Sequence, residues 1–110
     1  MKFPPAVTRE PVAFNYLALW PQFLRSLGML AQHAAEKYGS WEQYRDARLV
    51  GEKSPINHIY EHVSLYREQA PYDRFDKHPR WHLVAVTYNA MMEFFYSWFP
   101  EKYGTYSDLG

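Results

Sequence analysis

The stretch His78–Phe99, HPRWHLVAVTYNAMMEFFYSWF, decides the fold class. Pro79 suits a first helical turn, where a missing N–H costs nothing, and Pro100 blocks continuation at the far end. Between them no interior position is Gly or Pro, and polar residues are few. A helix that is apolar on nearly every side must be surrounded by the rest of its domain. The sequence therefore predicts a central helix over 79–99. Its polar exceptions carry the information. His82, Asn89 and Glu93 are spaced by seven and four, which puts them on one stripe of that helix. Burying such groups unpaired is costly, so they either bond one another and neighbouring helices or line a polar site.

Working outward, two further helices are expected, each opened by proline. Pro21 begins one over 21–38, with Phe23, Leu24, Leu27, Leu30, Ala31, Ala34 and Tyr38 on one broad face and Gly39 placed for a left-handed cap. Gly28 within it costs about 1 kcal/mol against Ala, a cost that close approach of another helix would explain. Ser54-Pro55, a capping residue followed by proline, starts the other over 55–69. Ile56, Ile59, Val63 and Tyr66 form its apolar stripe, and Pro71 stops it. A helical turn is expected at 41–48. Residues 1–11, with Pro4, Pro5 and Pro11, read as an extended lead. Residues 12–20 fit a short helix or a strap, and 101–110 a tail. The expected architecture is one all-α domain, a small bundle of three main helices.

Composition narrows the class. A chain of 110 residues makes one domain with a modest core. Twelve basic and twelve acidic residues cancel without a block of like charge, which argues against a nucleic-acid partner held by a basic stripe. The absence of Cys excludes disulfides, thiolate nucleophiles and Cys-based zinc sites, and fits a reducing cytosol. The opening MKFPPAVTREP has no signal-peptide apolar run. The apolar run at 83–99 is marginal in length and too polar to span a membrane. A cytoplasmic chain with no membrane partner is expected.

Several clusters invite chemistry. His58 and His62, four apart with Glu61 between, share a helix face as helical metal pairs do. His82, or Asp73 and Asp76, would supply further ligands; the alternative is a solvated His58 and a hydrogen-bonded His62 at a helix interface. The stripe of His82, Asn89 and Glu93 either holds a divalent ion through a carboxylate and an amide oxygen or forms a buried network that fixes helix register. Asp73 and Asp76 lie in the polar connection 70–78 and suit metal binding or, for Asp76, capping of the following helix. Arg74, Lys77 and Arg80 offer charge to a phosphate. The aromatic residues Phe94, Phe95, Trp98 and Phe99 suit a core or the interface of a homo-oligomer.

Three segments together resemble a known family. They are Ala34-Ala35-Glu36-Lys37-Tyr38-Gly39 with Trp41, Ile59-Tyr60-Glu61-His62 before an acidic loop, and Trp81 to Met91. This order is similar to the phage-type dATP/dGTP diphosphohydrolase N-terminal family, relatives of the all-α, MazG-like nucleotide pyrophosphohydrolases. The likeness covers roughly residues 17–95. It implies metal-dependent hydrolysis of a (deoxy)purine nucleoside triphosphate to monophosphate and pyrophosphate, in the cytoplasm of a host cell if the chain is phage-encoded. Carried onto this sequence, the pattern lands on His62, Asp73 or Asp76, His82 and Asn89. In the activity it implies, His62 and His82 are expected to be catalytic and Asn89 to bind substrate, with nearby Arg80 expected to neutralise substrate charge. Asp73, Asp76 and Asn89 would be ligands of Mg²⁺. The chain departs from the pattern at Ala85, where the family has a second His, and at Glu61, where Arg is usual. The alternative is a catalytically silent, phage-like helical interaction protein whose polar stripe is structural.

Overall fold

The computed structural model describes residues 20–104. The lead expected at 1–11, all but the last residue of the segment 12–20, and the end of the tail lie outside the described residues. Every regular element within them is helical. They are α1 (Pro21–Tyr38), α2 (Trp41–Asp46), a 3-10 turn (Gly51–Lys53), α3 (Pro55–Arg67), α4 (Trp81–Trp98) and α5 (Pro100–Tyr103). This is a small all-α fold.

The local signals act as expected. Gly39 closes α1 at φ 97°, a conformation that a side chain would resist. Ser40 accepts from the Gln43 N–H at 3.1 Å and opens α2. Ser54 accepts from the Asn57 N–H at 3.3 Å and opens α3, with Pro55 in its first turn. The third helix ends two residues early, at Arg67, because Gln69 turns to φ 54°. Regular α4 begins at Trp81; Pro79 and Arg80 form the tighter turn before it, with the His82 N–H donating to the Pro79 carbonyl at 3.0 Å.

α3 packs along α4, α1 lies across α4, and α2 folds against α1. The core comprises Leu30, Tyr72, Trp81, Val84, Ala85, Tyr88, Met92, Tyr96 and Tyr103. Helix α4 supplies most of it and is central, as its sequence implies. Its burial is not all-round, however. Leu83, Met91, Phe94 and Trp98 are exposed, the last at 67%. Among the described residues, the helices that pack on α4 reach only part of its circumference and leave an apolar stripe exposed. Helix α3 is likewise rotated from expectation. Ile56 and Val63 face solvent, while His58, Ile59, His62, Leu65 and Tyr66 are half-buried. Gly28 permits no close approach, since a Cβ there would meet nothing within 4 Å.

Two connections differ from expectation in a way that matters later. Residues 100–103 form α5 rather than a tail, because the Tyr103 ring is buried against Phe95 and Tyr96. Its hydroxyl donates to Asp46 Oδ1 at 2.7 Å. The loop 68–80 carries three non-glycine residues at positive φ, Gln69, Phe75 and Lys77, each a strained conformation. Bonds from the Tyr72 N–H to the Lys77 carbonyl and from the Lys77 N–H to the Arg74 carbonyl, both 3.0 Å, pin it. Phe75 stacks on Trp81 with ring centres 4.2 Å apart. So pinned, the loop buries Tyr72 and turns the Ala70 carbonyl toward α4. No described helix is long and apolar enough to cross a membrane.

Candidate functional site

His82 sits in the first turn of α4, 2% exposed. Burial at this level requires both ring nitrogens to be satisfied, and both are. Nε2 lies 3.0 Å from the Ala70 carbonyl oxygen, and Nδ1 lies 2.9 Å from Nδ1 of His62 on α3. A carbonyl only accepts, so His82 Nε2 carries the proton and donates it. With its proton on Nε2, His82 presents Nδ1 as the acceptor, and His62 Nδ1–H is the donor. The chain Ala70 carbonyl, His82, His62 therefore has one direction. It leaves His62 Nε2 as an unprotonated nitrogen. His58 repeats the pattern one turn earlier: its Nδ1 lies 3.0 Å from the Ser54 carbonyl, and its ring stacks on His62 with centres 6.4 Å apart.

His62 and His58 line a cavity of about 400 Å³ between α1, α3 and α4. Lys37 and His33 come to it from α1, Lys53 from the 3-10 turn, and Tyr88 and Asn89 from α4. No carboxylate lines it. Burial, and then the neighbouring His82, push His62 below the ordinary imidazole range, so it is held neutral. Tyr88 is 4% exposed, and its hydroxyl makes no hydrogen bond of acceptable geometry among the described residues. The Tyr44 phenol, with ring centres 5.9 Å away, is its polar neighbour. Burial, then that phenol, push Tyr88 well above the ordinary tyrosine value, so it stays a protonated donor. Together these groups can hold an anion and accept a proton beside it.

The structure brings His62 and His82 into contact and places Asn89 on the same cavity. Asn89 Nδ2 donates to the Ala85 carbonyl one turn back, at 2.8 Å. The remaining candidates lie elsewhere. Asp76 caps the start of α4: it accepts from the His78 N–H at 3.0 Å and from Trp81 Nε1 at 2.7 Å, and it pairs with Arg80. The His78 N–H, followed by Trp81 and Arg80, holds its carboxyl below the usual range. Arg80 borders a different hollow, with Phe23 and Leu83. Asp73 borders a third, with His33, Glu36 and Lys77. Asp73, Asp76 and Asn89 thus do not form one ligand set for Mg²⁺. Among the described residues no three His, Asp or Glu side chains group as metal ligands. Asp76 is used up at the start of α4, whereas Asp73 borders the hollow beside α1.

Sequence reasoning missed Lys37 and Lys53, which reach the cavity from a helix end and a short turn with no periodic pattern. It also missed Arg48. That side chain, 7% exposed, donates to the Gly104 carbonyl at 2.8 Å and lies 3.8 Å from Glu93. Glu93 therefore belongs to a separate cluster at the other end of α4. Compared with protein-family models, curated proteins and solved structures, the chain matches none.

Proposed function

We propose that the chain binds the phosphate chain of a nucleoside triphosphate in the His62 cavity and hydrolyses it to monophosphate and pyrophosphate. One observation carries this reading: the Ala70–His82–His62 chain leaves a neutral imidazole nitrogen in a cavity that holds two lysines and no carboxylate. Lys37 and Lys53 would meet the phosphate charge, and the Tyr88 hydroxyl would donate to a phosphate oxygen. Water attacking the α-phosphorus gives its proton to His62 Nε2. His62 Nδ1–H continues to donate to His82, which stabilises the imidazolium as it forms. The bond from phosphorus to the bridging oxygen breaks, and pyrophosphate departs against the lysines. In this scheme His62 is the base and His82 positions it. The step uses this chain's own side chains; the residues expected to hold Mg²⁺ do not converge, and none of the steps passes through the ion.

The test is pyrophosphate release from dATP and dGTP by the purified chain. His62→Asn is expected to slow release about 100-fold or more, the usual contribution of a positioned base, with nucleotide affinity little changed. Lys53→Gln is expected to weaken binding instead. A wild-type chain that neither binds these nucleotides nor releases pyrophosphate, with Mg²⁺ supplied, sinks the proposal. The second reading, a non-enzymatic interaction protein, is favoured by the uncovered apolar stripe of α4 and by Asn89 bonding back to its own helix.

A further inference from the structure

The uncovered side of α4 has two complementary features. At one end Phe94 and Trp98 project, 62% and 67% exposed, with their ring centres 5.5 Å apart. At the other is an apolar groove of about 620 Å³ between α1 and α4, lined by Trp20, Phe23, Leu24, Leu27, Thr87 and Met91. Leu83, 40% exposed, extends it past Phe23. The residues at 83, 87, 91, 94 and 98 are spaced by four, four, three and four, which is the seam spacing of two packed helices. None of them is charged.

We infer that this face pairs with the same face of a second copy, the Phe94–Trp98 projection of each filling the Trp20–Met91 groove of the other. A projection and a groove side by side on one surface satisfy each other reciprocally under a two-fold axis. Their centres on α4, Trp98 and Met91, are about 10 Å apart, the rise of seven helical residues. The axis then crosses α4 near Phe94, and the two α4 helices run antiparallel. Area supports a second copy as the occupant. Taking ~200 Å² for a fully exposed large side chain, Trp20, Phe23, Leu24, Leu83, Met91, Phe94 and Trp98 leave on the order of 700 Å² of apolar surface uncovered per chain. A stable interface of standard size takes about 800 Å² from each partner. A chain with formal net charge of zero sets no long-range repulsion against its own copy. Phe95, expected at an interface with these residues, is not part of the face, because it packs inward on Tyr96, Phe99 and Tyr103.

The chain has no cysteine, so one introduced thiol reports on the axis. Phe94→Cys is expected to form a disulfide-linked dimer under mild oxidation, while Tyr60→Cys, on the exposed side of α3, stays largely monomeric. The wild-type chain should sediment as a dimer at about 100 µM, well above a micromolar dissociation constant. Met91→Glu should sediment as a monomer with unchanged helical circular dichroism. A wild-type monomer at that concentration means that a second copy does not cover the face and overturns the inference. So does equal crosslinking of the two cysteine variants, or a Met91→Glu chain that stays dimeric.

Discussion

The two ends of α4 treat buried polar groups differently. At its C-terminal end Arg48, Glu93, Asp46, Lys102 and Tyr103 form a cluster in which charges meet charges and phenols. Asp46 Oδ1 alone takes bonds from Arg45, Lys102 and Tyr103 at 3.0, 3.3 and 2.7 Å. At its N-terminal end two histidines are bonded in a line, and the line stops at His62 Nε2 beside a cavity. A cluster whose groups answer one another is explained by stability alone. A line with a nitrogen left over beside a cavity is not. The contrast separates scaffold from candidate site without appeal to any relative.

Breaking the N-terminal line should give the largest effect on stability. His82→Ala opens a void and strips a partner from both the Ala70 carbonyl and His62, so a loss of about 3 kcal/mol is expected. Urea unfolding with an unchanged slope would measure it; a loss below about 1 kcal/mol would mean that the line contributes little.

An acid titration of stability should then separate the ends. His62 is held below its ordinary value of 6.5 in the folded chain, so the unfolded chain binds more protons as pH drops through that value. Stability is therefore full above about pH 6.5 and begins to fall below it. Asp46 is depressed by its bond to Arg45, then by Tyr103, and its contribution is present above its ordinary value of 3.8 and lost only in stronger acid. His62→Asn should remove the first slope and leave the second, and Asp46→Asn the reverse. If both variants keep the wild-type pH profile, the two clusters do not titrate as their contacts imply.

The smallest effects have opposite signs. Tyr103→Phe removes a satisfied hydroxyl and should cost about 1 kcal/mol. Tyr88→Phe removes an unsatisfied one and should be neutral or stabilising by up to about 1 kcal/mol, while weakening phosphate binding in the cavity. A destabilised Tyr88→Phe chain would place that hydroxyl with the structural cluster instead.

How much of this was legible follows from the range of each signal. Pro21, Gly39 and Ser54-Pro55 act within a few residues, so the helices and their starts could be read. His62 and His82 could be singled out as polar residues on apolar faces. Their contact depends on how the loop 68–80 returns the chain, and no local pattern encodes that. Asp73 and Asp76 looked like a pair because they are near in sequence, yet Asp76 is bonded to the start of α4 while Asp73 borders a hollow with His33 and Glu36. The apolar circumference of α4 read as complete burial, whereas part of it is an uncovered face.

The last link of the histidine line is the Ala70 carbonyl, a peptide group rather than a side chain. A side-chain partner such as Asp could be deleted by one codon change, and the imidazole it steers would lose its tautomer with it. A carbonyl is present whatever residue occupies position 70. The direction of the proton line is therefore insulated from point substitution at its own anchor. It is vulnerable instead to changes in chain path, above all at Gln69, whose unusual backbone twist precedes it.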